Sequence, residues 1–219
     1  MRRLPRFFQR LVGAYLPPRP QSRSFYLTID DGPQGSTTEQ ILDLLATYQA
    51  KATFFWLWSR YEARHTPYLA ARLLAEGHTI GLHGDSHLSP WRHPLSLKAK
   101  LHQAKLLWTS AGIPLAPLYR PPYGHLTGLE RWYGWRLVLW DWLMPDYLYH
   151  APWADTLLLR LKAGDIVVLH ERRWSLAEWR KFLSAAYASG WRAMALPVGE
   201  VPQLYGYSLS PASDRLCVE

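Results

Sequence analysis

The stretch that most constrains this chain is an apolar run that ends on two adjacent carboxylates. Ser24-Phe25-Tyr26-Leu27-Thr28-Ile29-Asp30-Asp31-Gly32-Pro33 reads as a buried strand rich in β-branched and aromatic residues, stopped at the acids by a Gly-Pro breaker. Asp is a poor strand residue, and two side by side repel each other. A solvated Asp-Gly turn accounts for these residues taken alone. The rest of the chain argues for more, because it keeps bringing ionisable residues to the ends of strands.

After the first strand at 25–29, the apolar spacing predicts strands at 51–58, 79–82, 117–119, 136–140, 165–169 and 191–195. Between them it predicts helices at 37–48, 67–76, 95–110, 152–162 and 175–188. Thr37 and Thr38 are cap candidates for the first helix, and Pro67 and Gly77 bracket the second in the expected Pro-first, Gly-last order. Strand and helix alternating through short linkers imply α/β architecture with parallel strands. About seven such units in ~200 residues fall short of an eight-fold barrel, so the expected fold is a reduced or distorted (β/α) barrel with about seven parallel strands. A doubly wound open sheet is the alternative, but no Gly-rich phosphate loop follows the first strand. In a parallel barrel the C-terminal strand ends open on one face, and Asp30/Asp31, His83, Arg120, Asp141 and His170 each follow directly on a predicted strand.

Composition narrows the function classes. The 219 residues, 48% hydrophobic and 19% charged, suit one globular domain. Arg2, Arg3, Arg6, Arg10, Arg19 and Arg23 precede the first strand without a single acid; taking these six from 25 basic residues leaves 19 against 17 acidic ones. The body is therefore near neutral and is not a nucleic-acid-binding domain by charge. The basic head mixes arginine with large apolar residues, yet Arg10 breaks its apolar run too early for a secretory signal, and no stretch reaches the ~18 apolar residues of a membrane span. The head is expected to pack on its own domain; the alternative is peripheral contact of residues 1–16 with an anionic membrane. The expected location is accordingly cytoplasmic or peripheral to the membrane. A single cysteine, Cys217, excludes an intramolecular disulfide and a cysteine-rich metal site.

His83-Gly84-Asp85-Ser86-His87 sets two imidazoles four residues apart just past a strand. If the segment turns helically they reach one side and can share a metal, and a strand-end carboxylate would make a three-ligand set with coordination positions left open. Thr28-Ile29-Asp30-Asp31-Gly32-Pro33, His83-x-x-x-His87, Arg120-Pro121-Pro122-Tyr123 and Val168-Leu169-His170 resemble, in order and rough spacing, the motifs of the polysaccharide deacetylases (NodB-homology domain, carbohydrate esterase family four). The resemblance runs from about 24 to 196, which divides the chain into a basic head at 1–23, a deacetylase domain at 24–200 and a tail at 201–219.

The resemblance implies a set of roles. Asp31, His83 and His87 would hold a divalent metal, most simply Zn2+, and Asp30 would be the general base, paired with Arg120. A backbone N–H near Tyr123 would help to stabilise the oxyanion. His170 would be the general acid, and Leu169 with aromatic neighbours would form the slot for the acetyl methyl. The implied activity is removal of N-acetyl groups from amino sugars of an acetylated carbohydrate. O-acetyl ester hydrolysis and a catalytically silent sugar-binding module are the alternatives.

Three departures stand out. Gly84 replaces the Ser or Thr usual after the first metal histidine, and Val168 replaces a usual Leu. In the fourth motif, usually Asp-x-x-Asp-Trp, Leu143 stands at the first acid and Asp146-Tyr147 follow. Asp141, two residues before Leu143 and on the same face if the strand continues, is the expected substitute support for His170, with Asp146 the alternative. Trp108 and Trp179 are expected on helix faces packed against the barrel, Trp91 and Trp142 as candidates for stacking on a sugar ring. His65, His93, His102, His125 and His150 belong to no motif and are expected in surface or loop roles.

Overall fold

The computed structural model of the chain describes residues 1–92, 94–148 and 151–198. The expected tail at 201–219 with Cys217, and the expected loop histidines His93 and His150, lie outside the described residues. The first half contains β1 (Arg2–Arg3), α1 (Arg6–Leu11), β2 (Ser24–Gly32), α2 (Ser36–Thr47), β3 (Thr53–Leu57), α3 (Thr66–Ala75), β4 (Thr79–Gly84) and α4 (Leu97–Ser110). The second contains β5 (Leu118–Tyr119), β6 (Arg136–Leu137), β7 (Trp142–Leu143), α5 (Ala154–Arg160), β8 (Ile166–His170), α6 (Leu176–Ala188) and β9 (Arg192–Met194).

The strands form one curled sheet in the order β1-β7-β8-β2-β3-β4-β5-β6, with β9 pairing beside the start of β2. From β7 to β6 every pair is parallel, and β1 alone runs antiparallel, on β7. The expected reduced barrel with about seven parallel strands is what forms, open at a seam between β6 and β7.

Alternation along β2 builds two apolar layers. Phe25, Leu27 and Ile29 belong to the large cluster between sheet and helices, where Phe25 meets Phe182 of α6 at 5.5 Å and Trp108 and Trp179 are fully buried as expected. Tyr26 belongs to a second cluster with Phe55, Leu118, Val138, Ile166 and Leu196, which fills the barrel interior. Each large side chain so buried contributes roughly 1.5–3 kcal/mol.

The predicted strand at 136–140 is cut short, and the reason is the seam. Leu137 pairs with Tyr119 of β5, whereas Trp142 pairs with Val167 of β8, so residues 138–141 cross from one edge of the barrel to the other. The head covers this crossing. Arg2 and Arg3 pair with Leu143 and Trp142, the Leu4 N–H donates to the Asp141 carbonyl at 3.1 Å, and the Tyr15 N–H donates to the Leu137 carbonyl at 2.7 Å. Gln9, fully buried, donates to the Trp140 carbonyl at 2.9 Å, and the Tyr26 hydroxyl donates to the Pro18 carbonyl at 2.8 Å. The head thus packs on its own domain.

Candidate active site

Strand β2 does not stop at its acids but runs through them. Asp30 pairs with Phe55 and His170, Gly32 pairs with Trp56, and Asp31 is skipped in the register. Strand alternation would send neighbouring side chains to opposite faces. Asp31 escapes this through a left-handed φ of 71°, an uncommon conformation for a residue with a side chain, so both carboxylates reach the same mouth of the barrel.

Asp30 faces the interior with Thr28, and Arg120 fills the space beside them. The guanidinium of Arg120 is fully buried over the Phe55 ring and donates at 2.8 Å to Asp30 Oδ1, at 2.8 Å to Thr28 Oγ1 and at 3.0 Å to the Leu139 carbonyl. A buried cation with this many acceptors is a fixed electrostatic partner for Asp30.

Asp31, His83 and His87 converge on one point, their ligand atoms all within 4.8 Å of one another. The two imidazole Nε2 atoms stand 3.4 and 3.2 Å from Asp31 Oδ1. His83 lies at the end of β4 and donates its Nδ1–H to the Arg120 carbonyl at 2.7 Å, which leaves Nε2 with a lone pair. His87 arrives through bends rather than a helix. Burial lowers its pKa and outweighs the opposing pull of Asp31. Burial works against ionisation of Asp31, but the surrounding imidazoles of His83, His170 and His87 hold its carboxyl well below the usual range. Its Oδ1 is buried and forms no hydrogen bond, although both imidazole Nε2 atoms lie beside it. Such a donor set, one orphaned carboxylate oxygen and two imidazoles of which His83 is held in orientation, fits a divalent cation.

His170 ends β8 opposite Asp30 in the register, so the two face each other across adjacent strands. Its support comes from Asp146, which accepts from the backbone N–H at 2.6 Å and from Nδ1–H at 2.7 Å. Burial works to lower the His170 pKa, but Asp146, with Asp30 and Asp31 behind it, lifts it above its ordinary value.

The profile of the family described as polysaccharide deacetylase matches residues 18–132. Peptidoglycan-N-acetylglucosamine deacetylase of Bacillus cereus is 33% identical over 184 residues, covering 76% of this chain and 83% of that one. The chain belongs to the polysaccharide deacetylase family. Peptidoglycan-N-acetylmuramic acid deacetylase PdaC of Bacillus subtilis is 38% identical over 127 residues, which cover 56% of this chain and 26% of that protein. The solved structure of PdaC superposes with a TM-score of 0.72 at 27% identity, covering 80% of this chain and 89% of the other. The protein is accordingly a deacetylase, a hydrolase, built on the curled (β/α) barrel of its relatives.

Against the deacetylase motifs, three expected site residues take other places. Asp141 precedes β7 rather than ending a strand, and its N–H bonds the Ile166 carbonyl at the entry of β8, the end of the barrel away from His170. There it accepts from Arg6 at 3.0 Å and from the Ile166 N–H at 2.9 Å, a structural anchor for the head. Trp142 is buried in the outer core, donates to Asp165 at 2.9 Å and has Arg3 over its ring, so it stacks on no sugar. Leu169 pairs with Ile29 and lies with it in the layer under the helices; its position, one residue before His170, turns it away from the mouth. Val168, on the same strand face as His170, is fully buried.

Gly84 in the second deacetylase motif has a physical reason in its φ of 127°, a backbone open to glycine. Asp85 steadies the loop in place of the usual hydroxyl, accepting from the Ser86 N–H at 2.8 Å. His65 pairs with Glu39 at 3.2 Å and His102 is exposed, as loop and surface histidines should be.

Two site residues were missed from sequence, although both continue the run that His170 begins. Glu171 is fully buried and accepts from Trp56 Nε1 at 3.0 Å and from the Thr38 hydroxyl, beneath Gly32. Burial pushes its carboxyl up to about 7. Arg172 donates to Asp31 Oδ2 at 2.5 Å, the oxygen turned away from the two imidazoles. An acid and a base directly after a strand-end histidine were the available signal.

Proposed function

We propose that this deacetylase is a divalent-metal-dependent hydrolase that removes N-acetyl groups from the amino sugars of a glycan, with peptidoglycan the first candidate because the named relatives act on it. The observation that carries the reading is the buried, unpartnered Oδ1 of Asp31 facing the Nε2 atoms of His83 and His87. In this reading those three residues hold the ion, and their N/N/O donor set suits Zn2+. When bound, the ion supplies Lewis acidity to the acetyl carbonyl and the attacking water.

The remaining work falls to side chains. Asp30 accepts the proton of the attacking water, and Arg120 keeps it aimed by occupying Oδ1. His170, with Nδ1–H held by Asp146, presents Nε2 to protonate the leaving amine. Tyr123, at a left-handed φ of 60° with its ring 4.4 Å from His87, turns the backbone of its loop toward the forming oxyanion. Trp91, 60% exposed, is stacked on His125 at 4.0 Å and pinned by an Nε1 bond of 2.7 Å to the Leu126 carbonyl. Its open face is the proposed platform for a neighbouring sugar ring. The acid position is supported more firmly than ester cleavage requires, which favours the amide over the O-acetyl reading.

Metal analysis with acetate release from N-acetylated and O-acetylated glycans tests the proposal. His87→Ala should lose stoichiometric metal and stay folded. Asp30→Asn should keep the metal and lose roughly 10²–10⁴ in turnover. Loss of metal in Asp30→Asn would make Asp30 a ligand. Acetate release from O-acetyl glycans alone would replace the amide reading by the ester one.

A further inference from the structure

The N-terminal head is tied down on one side and bare on the other. Arg6, Gln9 and Tyr15 fasten it across the seam, whereas Phe7 and Leu11, one helical turn apart in α1, are 78% and 73% exposed, with Phe8 exposed beside them. Arg2, Arg3 and Arg10 are also exposed, and residues 1–23 contain no acid. Large apolar side chains held open to water on a short anchored turn that carries cations and no acid of its own are costly unless something covers them.

We propose that this end of the molecule docks on an anionic lipid bilayer, with Phe7, Phe8 and Leu11 entering the interface and the arginines meeting headgroup phosphates. Charge complementarity selects this occupant. The loops at the same end continue the basic surface: Arg19 lies against Gly164, and Lys162, Arg23 and Arg192 are exposed at the entries of β8, β2 and β9. Glu76, the acid in the loop before β4, is already held by Arg72 at 2.7 Å. Three apolar side chains fall well short of the roughly 800 Å² per partner of a stable protein interface, but suffice for shallow insertion.

The docked orientation follows from the sheet. Arg6 donates to the Gly164 carbonyl just before β8, and β8 then climbs four residues from Ile166 to His170, roughly 13 Å at a strand's rise. The apolar face of α1 and the barrel mouth are therefore at opposite ends, with Arg2 and Arg3 standing between them beside Leu143 and Trp142. A membrane-bound molecule would hold its catalytic face outward, toward a glycan lying beyond the lipid surface.

Vesicle co-sedimentation of the full chain tests this without reference to the chemistry at the mouth. The protein should pellet with phosphatidylglycerol-containing vesicles, not with phosphatidylcholine alone, and added salt should release it. Phe7→Ser/Leu11→Ser should lower the bound fraction at least about fivefold, and Arg2→Gln/Arg10→Gln/Lys162→Gln should do the same. Both variants alter exposed side chains, so their melting temperatures should match the parent's. Equal pelleting with both lipids, or unchanged binding by both variants, would overturn the proposal. So would a lipid-free dimer that Phe7→Ser/Leu11→Ser dissolves, since the face would then be a self-interface.

Discussion

Asp146 accepts twice from His170, while Asp141 accepts from Arg6 and Ile166 at the far end of the strand. Their variants should therefore separate. Asp146→Asn removes the charge that lifts the His170 pKa, so the imidazole loses its proton at lower pH and the alkaline limb of kcat/KM moves to lower pH. Amide hydrolysis should slow more than hydrolysis of an activated ester, which needs little leaving-group protonation. Asp141→Asn should leave the limb unmoved and cost roughly 1–3 kcal/mol of stability. A shifted limb in Asp141→Asn with none in Asp146→Asn would reverse the assignment. Glu171 gives a second signature. Its carboxyl ionises near 4.5 when unfolded and near 7 when buried, so from about pH 4.5 to about pH 7 the folded state keeps a proton the unfolded chain has lost. Stability should fall across that window by roughly 3 kcal/mol, and Glu171→Gln, a mimic of the protonated form, should flatten the decline. Denaturant unfolding at pH 5 and pH 8 measures both.

At the scale of the element, the bulge in β2 is what turns a strand into a site. It depends on Gly32, where an added Cβ would stand 1.8 Å from Glu171 Oε1 and 2.5 Å from Trp56 Nε1, both side chains buried and hydrogen-bonded to each other. Gly32→Ala must push the loop off Glu171 and shift Asp31 with it. The expected outcome is a loss of 3 kcal/mol or more, in order of magnitude, together with weakened metal binding. Calorimetry and metal titration should show both losses; a variant with unchanged stability and metal affinity would mean the loop has room to spare. Strand β8 shows the complementary constraint. Val168 and His170 share one face and Leu169 the other, so a one-residue difference in parity decides which side chain can reach the mouth.

At the scale of the molecule, the head is a closing element of an open barrel. It adds β1 to the free edge of β7, bonds β6 through Tyr15 and gives the buried Asp141 its cation. Removing residues 1–19 should lower the melting temperature by about 6–12 °C, the equivalent of roughly 3 kcal/mol in a chain of this size. No proposed catalytic residue goes with it, so at temperatures where the truncated protein is folded kcat/KM on a soluble substrate should stay within about threefold. An unchanged melting temperature would show that the seam closes without the head.

The sequence by itself determined the order of strands and helices, the parallel barrel and the residues gathered at its mouth, because strand and helix periodicities are local and ionisable residues at strand ends are visible in one dimension. It also carried the family, through four short motifs in order. What only the tertiary structure decided was which acid serves which partner. Asp141 and Asp146 are five residues apart in the chain, yet β7 climbs between them parallel to β8 and leaves one level with Ile166 and the other level with His170. The same holds for Trp142, Leu169 and the two acids of β2. Which face a side chain reaches depends on where a strand begins and where its register slips, and long-range pairing, not local composition, sets both.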